Sequence, residues 1–182
     1  ISLFVVISLF FVVMVSFAQE KSEEKSTGIV KGVVKHSSVK KYSKVVFIEE
    51  MPNKEFKPSD KKTTMDQKGK VFIPRVLPIL AGTTVDFYNS DEVEHNVFTP
   101  DFPEGEKSSS EQKYYYDLGN WKKGEIRSYT FKRTGVYTQL CSLHPEMVAY
   151  IIVCKTPYFV VADETGNFTI PNLPAGYFLI LG

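Results

Sequence analysis

Residues 126–154 read IRSYTFKRTGVYTQLCSLHPEMVAYIIVC and contain three short apolar runs separated by turn residues. Apolar and polar side chains are interspersed in Ile126–Phe131, which is typical of a strand with one buried face. Gly135 precedes the second run, Val136–Cys141, and Met147–Val153 forms a third. Runs of this length, rich in β-branched and aromatic residues, predict three consecutive β-strands.

The rest of the chain continues this pattern. Outside residues 1–18 no stretch repeats apolar residues at the spacing of a helix, so we expect an all-β protein, an antiparallel sandwich or barrel. Residues 50–70 are polar and include Pro52, Pro58 and Gly69, which predicts a long loop. The further predicted strands are 29–34, 45–48, 70–73, 75–80 and 83–88.

Composition excludes several classes of protein. The 182 residues include 22 basic and 21 acidic side chains, a net charge of +1 that does not suit binding to nucleic acid by bulk charge. An apolar content of 43% and an aromatic content of 14% support a packed core rather than disorder. The two cysteines are too few for a disulfide scaffold.

The first 18 residues, ISLFVVISLFFVVMVSFA, form an uncharged apolar run that ends in a small-x-small pattern at Ser16 and Ala18. This pattern predicts a signal peptide, or an N-terminal membrane anchor if the segment is not cleaved. Either outcome exports the protein, and in a bacterium places it in the periplasm. A polar linker is expected at residues 19–27. The first run lacks a starting Met, and the strand-like run 177–181 stops abruptly, so we expect the protein to extend beyond both ends.

Four residues with metal-binding side chains form the most informative group in the sequence. Cys141, His144 and Met147 occur within seven residues of one another, in a loop between two predicted strands. His95 follows the predicted strand 83–88 and its turn. Two imidazoles and one thiolate in a trigonal set, with a weak axial thioether, are typical of a type 1 (blue) copper centre that transfers electrons.

These residues resemble the cupredoxin family. The resemblance is carried by GTTVDFYNSDEVEHNVF (82–98) and CSLHPEM (141–147), and the short Cys-x₂-His-x₂-Met loop is most similar to amicyanin-like and plastocyanin-like members. The wider chain resembles exported methylamine-utilization and plastocyanin-like proteins. The resemblance implies a Greek-key β-sandwich over residues 62–155, one copper per chain, and ligation by His95, Cys141, His144 and Met147. It also implies that Asn96 bonds the backbone near Ser142 and so steadies the cysteine loop.

The function implied by this resemblance is the transfer of single electrons between redox proteins, without enzymatic activity. A c-type cytochrome or a periplasmic dehydrogenase is the expected kind of partner, and nucleic acid is not. In cupredoxins the histidine of the cysteine loop is exposed in an apolar patch, which here implies a docking patch at Leu143 and Pro145, with Phe98 and Pro100 as further candidates.

Three alternatives remain open at this point. A Cys141–Cys154 disulfide would remove the thiolate and leave a structural, metal-free β-sandwich. A copper-binding or copper-delivery protein would use the same ligands without transferring electrons. Cys141 with His95 or His144 would be a nucleophilic pair in an enzyme, although no oxyanion hole is recognisable in the sequence.

The flanks of the predicted cupredoxin domain form two further segments. Residues 28–61 contain N-terminal strands and a loop, and residues 156–182 resemble a truncated hairpin of carboxypeptidase-regulatory-like domains. One hypothesis is that the two flanks pair into a small additional β-sheet beside the sandwich. The other is that strands 28–50 open the cupredoxin sandwich itself and the tail is a loose extension. Pairing of strand 29–34 with strand 168–170 would support the first hypothesis.

Overall fold

A computed structural model describes residues 27–35, 43–103, 105–106, 114–174 and 180–181. The predicted signal segment 1–18, nearly all of the linker 19–27 and residues 177–179 of the C-terminal run lie outside these ranges. In the described part of the chain no helix has the length and apolarity needed to cross a membrane.

Every regular element in the described residues is a β-strand, which confirms the all-β prediction. The strands are β1 (Thr27–Val33), β2 (Val45–Ile48), β3 (Thr63–Gln67), β4 (Phe72–Ile73), β5 (Val76–Leu80), β6 (Thr83–Asn89), β7 (His95–Thr99), β8 (Tyr116–Trp121), β9 (Ile126–Phe131), β10 (Gly135–Leu140), β11 (Val148–Cys154), β12 (Phe159–Val161), β13 (Asn167–Pro174) and β14 (Ile180–Leu181).

Of the four sheets in the described residues, two form a sandwich. A five-stranded sheet has the order β5-β11-β10-β7-β8, and a four-stranded sheet has the order β4-β3-β6-β9. Most strand pairs in these sheets are antiparallel, as expected, but β3 pairs with β6, and β5 with β11, in parallel. In both parallel pairs, other strands lie between the two partners in the sequence. No tight hairpin turn therefore joins the two partners.

Strand β3 also corrects the prediction of an unbroken loop over residues 50–70. Its sequence, TTMDQ, is largely polar, yet Met65 and Gln67 are completely buried between the sheets. The strand exists because it pairs in register with β6, from Thr63 opposite Val85 to Gln67 opposite Asn89. Tertiary pairing here overrides a composition that favours a loop.

The sandwich encloses one continuous apolar core contributed by both sheets. Burying a large apolar side chain fully contributes about 1.5–3 kcal/mol to stability, so this cluster supplies the main driving force for folding. Its buried members are Met65, Phe72, Ile79, Val85, Phe87, Val97, Tyr116, Trp121, Phe131, Tyr137, Cys141, Met147, Ala149, Ile151 and Val153.

The two flanks of the sequence meet in the structure. β1 pairs antiparallel with β13, with Val30 opposite Ile170, and β2 is the centre of a three-stranded sheet of order β12-β2-β14. This confirms the hypothesis of an additional sheet formed by flanking strands. Gly32 lies opposite Phe168, and a Cβ at this position would come within 2.7 Å of the phenyl ring. Glycine therefore leaves room for the ring to cover the strand, and a larger residue here would force the ring to move.

The flanking strands have an apolar core of their own. Its buried residues are Val46, Ile48, Met51, Ile170 and Leu173. A hydrogen bond from the Thr156 hydroxyl to the Ile48 carbonyl (2.6 Å) fixes the segment that leaves β11 against β2. A division of the chain at residues 61 and 155 remains a prediction, and its expected effect on unfolding is described in the Discussion.

Candidate metal centre

The candidate ligands come from two distant segments that meet at one end of the sandwich. His95 is the first residue of β7, and Cys141 directly follows the last residue of β10. The pairing of Leu140 with Phe98 places the end of β10 beside β7. The loop 141–147 then leads into β11, so its side chains lie at the same end as His95.

Three donor atoms converge at this point. The Sγ atom of Cys141 lies 3.9 Å from Nδ1 of His95 and 3.7 Å from Nδ1 of His144. The three candidate ligand atoms all lie within 4.8 Å of one another. The two imidazole rings are close, with centroids 4.7 Å apart and planes tilted by 56°. The fold thus gathers a thiol and two imidazoles around one small volume.

Met147 ends the cysteine loop and, like Cys141, is buried in the sandwich core. Its backbone N–H donates a 2.9 Å hydrogen bond to the His144 carbonyl, which closes the loop into a tight turn. A thioether at this position places a soft, weakly binding side chain on the core side of the loop.

Backbone and side-chain contacts of Asn96 hold the cysteine loop against β7. The Asn96 N–H donates to Cys141 Sγ at 3.4 Å, and the Ser142 N–H donates to Asn96 Oδ1 at 3.2 Å. The other end of the amide donates to Asp117 Oδ1 (2.7 Å) and to the Gly119 carbonyl (3.0 Å) on β8. Asn96 is buried, and all of its side-chain hydrogen-bonding groups are engaged. The loop is therefore tied to two strands of the five-stranded sheet.

Asp91 is a residue of this site that the sequence did not reveal. Its Oδ2 lies 2.8 Å from Nε2 of His95, on the side of the ring away from Cys141. Burial alone would raise the pKa of this carboxyl, but the N–H groups of Lys70 and Gly69 and the bond to His95 outweigh burial and hold the pKa below its ordinary value. An aspartate four residues before a histidine in a loop gives no sequence signal, because only the folded loop brings the two groups together.

The second cysteine does not take part in the site. Cys141 and Cys154 are both free thiols, so the disulfide alternative does not apply to this structure. Cys154 is buried at the end of β11, and burial raises the pKa of its thiol to about 12. This thiol stays protonated at neutral pH and is a poor metal donor.

The two histidines differ in exposure. His95 is completely buried, whereas His144 is partly exposed and is flanked by the exposed residues Leu143 and Pro145. Leu143 shows 44% of its surface, a large exposure for an apolar side chain. Phe98 is half-buried and packs its ring 4.4 Å from that of Tyr114, and Pro100 is exposed. His144 thus lies between two exposed apolar residues of the cysteine loop.

The chemistry of these donors fits copper. A thiolate and a thioether suit Cu(I), and imidazole suits both oxidation states. Comparison with protein-family models matches residues 59–154 to the copper-binding proteins of the plastocyanin/azurin family. The chain belongs to this family. Its cofactor is therefore copper.

Solved structures that are similar to this chain include an amicyanin, a purple cupredoxin and a nitrite reductase. A reduced amicyanin mutant is 24% identical, covering 52% of this chain and 84% of that chain, with a TM-score of 0.45. A purple cupredoxin from Nitrosopumilus maritimus is 24% identical, covering 50% of this chain and 98% of that one, with a TM-score of 0.41. A copper-containing nitrite reductase from Thermus scotoductus is 27% identical, covering 60% of this chain and 25% of the enzyme, with a TM-score of 0.45. Curated protein sequences return no match.

Proposed function

We propose that this cupredoxin is an electron carrier with one type 1 copper held by His95, Cys141, His144 and Met147. The observation that carries the proposal is the convergence of three donor atoms within 4.8 Å of one another at one end of the sandwich. These are the two imidazoles and one thiolate of the trigonal set, and the buried Met147 is the axial candidate.

The protein part of the proposed mechanism is the rigidity of the donor set. When bound, copper supplies a couple between Cu(II) and Cu(I). His95 and Cys141 are buried, and the Asn96 amide ties the cysteine loop to β7 and β8. Donors held in this way change position little between oxidation states, which keeps the reorganisation cost of electron transfer low.

We place the route for the electron at His144, the partly exposed ligand candidate. Leu143 and Pro145 form the docking patch around it, both exposed and free of charge. A small apolar contact suits the brief encounters of redox proteins, whose interfaces lie at the low end of the range, below about 1,200 Å². A c-type cytochrome or a periplasmic dehydrogenase is the proposed partner class, consistent with export directed by residues 1–18.

We favour an electron carrier over an enzyme because of the number of donor side chains at the site. Catalytic metal sites keep an open position for water or substrate. Here four side chains are available as donors, and three of them, His95, Cys141 and Met147, are buried. The proposed site thus holds an electron without binding a substrate.

The experiment that tests the function is a visible and EPR spectrum of the protein, without residues 1–18, after loading with Cu(II). An intense thiolate-to-copper band with narrow copper hyperfine splitting is expected, followed by reversible one-electron voltammetry with copper retained. A colourless protein would contradict the site. Loss of copper on each reduction would instead favour copper delivery.

Replacing Met147 with glutamine is expected to leave copper bound and to lower the reduction potential. An amide oxygen is a harder donor than a thioether and favours Cu(II). Each tenfold preference gained by Cu(II) lowers the potential by about 59 mV, which voltammetry measures directly.

Met51→Gln is the matched control for this change, because Met51 is equally buried but belongs to the flanking core. This variant is expected to lose stability without a shift in potential. If Met147→Gln fails to bind copper, or shifts the potential no more than Met51→Gln does, the axial role of Met147 is wrong.

A further inference from the structure

The two ring nitrogens of His95 have separate neighbours. Nδ1 faces Cys141 Sγ at 3.9 Å, and Nε2 lies 2.8 Å from Oδ2 of Asp91. An ionised carboxylate only accepts hydrogen bonds, so a bond of this length requires the proton of the neutral ring to reside on Nε2. The lone pair of Nδ1 is then free and points toward the other donors.

Asp91 is itself fixed from outside the copper loop. Its carboxylate accepts the N–H of Gly69 on Oδ1 (2.6 Å) and the N–H of Lys70 on Oδ2 (2.8 Å). Gly69 and Lys70 have φ angles of 67° and 56°, and they form the turn between β3 and β4. Successive N–H groups in such a turn form a concave anion site. Asn89 Oδ1 accepts the Asp91 N–H at 2.9 Å and completes the arrangement.

These contacts make a continuous chain from one sheet to the candidate ligand of the other. It runs from the β3–β4 turn through the Asp91 carboxylate to the His95 ring. Asp91 shows 15% of its side-chain surface and His95 none, so the pair is largely shielded from water. Shielding strengthens a charge-assisted hydrogen bond.

We propose that Asp91 is a positioning residue for His95, which fixes the Nε2–H tautomer and lowers the reduction potential of the copper site. The part of this inference that concerns copper rests on the proposed function; the tautomer does not. The carboxylate orients the ring and makes Nδ1 a stronger donor, and its negative charge favours Cu(II) over Cu(I). Carboxylate partners of metal-binding histidines act in this way in many metal sites.

Asp91→Asn is expected to weaken Cu(II) binding by about 10–100-fold, the usual effect of losing such a partner. Binding of Cu(I) depends less on the negative charge and is expected to fall less. If the loss for Cu(II) is tenfold greater, the potential rises by about 59 mV. Competition with chelators measures the two affinities, and voltammetry measures the potential.

A copper-free measurement separates this inference from the proposed function. In the apo form of the wild-type protein, ¹⁵N NMR of the imidazole is expected to show His95 with its proton on Nε2. In Asp91→Asn, where the acceptor is no longer a carboxylate, the ring is expected to lose this single tautomer. A wild-type ring protonated on Nδ1 would overturn the inference without any variant having to fold.

Asp163→Asn is the matched control. Asp163 also accepts two backbone N–H groups in a turn, those of Thr165 and Asn167, and it lies between the flanking strands β12 and β13. Its loss is expected to change neither the tautomer of His95 nor the potential. If Asp91→Asn matches this control in tautomer and potential, Asp91 merely stabilises a turn and the inference is wrong. If wild-type protein shows the expected tautomer but no type 1 spectrum, the proposed function is wrong, while the positioning of His95 by Asp91 is still supported.

Discussion

Cys141→Ser is expected to abolish the thiolate-to-copper absorption completely. The band requires a sulfur donor, and Cys141 Sγ is the atom that lies within 4 Å of both candidate imidazoles. A serine hydroxyl retains the size of the side chain but does not ionise at neutral pH. The variant is therefore expected to fold and to bind Cu(II) weakly, with the EPR signal of an ordinary tetragonal site.

Cys154→Ser is the matched control, since it makes the same change to the other buried thiol. Cys154 ends β11, and its nearest hydrogen-bond partner is the Ile152 carbonyl at 3.8 Å. The colour and the hyperfine splitting are expected to survive this substitution, with some loss of stability from a polar group in an apolar place. Bleaching by Cys154→Ser, or persistent colour in Cys141→Ser, would mean that the thiolate is assigned to the wrong cysteine.

Ile170→Ala is expected to cost about 2–5 kcal/mol of unfolding free energy, the usual range for truncating a buried isoleucine. Ile170 is 1% exposed and lies in the flanking core with Val46, Ile48, Met51 and Leu173. Since this core is separate from the sandwich core, we expect the flanking strands to unfold first while the copper-binding sandwich remains folded.

The single tryptophan makes this separation measurable. Trp121 is the one tryptophan of the chain and lies in the sandwich core, so its fluorescence reports the sandwich alone. In urea, Ile170→Ala should shift the far-UV circular dichroism transition more than the fluorescence transition. Ile151→Ala, a matched truncation in the sandwich core, should shift the fluorescence. Equal shifts of fluorescence in both variants would show that the chain unfolds as one unit.

Local sequence was sufficient to predict most strands and the cysteine loop. Runs such as Val45–Ile48 and Val148–Cys154 are set by β-branched residues, whose preference for extended backbone acts over a few neighbours. Cys141, His144 and Met147 likewise lie within one loop, so their spacing can be read directly. These features depend on contacts between residues close in the chain.

The structure alone decided the features that depend on register between distant segments. β3 is a strand because it lies beside β6, and its polar sequence gives no sign of this. Pairing of β1 with β13 joins residues near the two ends of the described chain, which the sequence left as one of two hypotheses. In both cases the deciding interaction is the hydrogen-bond ladder between strands, which no local pattern encodes.

The candidate site shows the same division. The types of donor, and the loop that carries three of them, could be predicted from the sequence alone. The fold determined that His95, 46 residues from Cys141, lies next to the cysteine loop. It also placed Asp91 against the His95 ring, with the Gly69 and Lys70 N–H groups bonded to the Asp91 carboxylate. The physical reason is that the spacing of side chains within one loop can be read from the sequence. Which loops meet depends instead on how the two sheets pack.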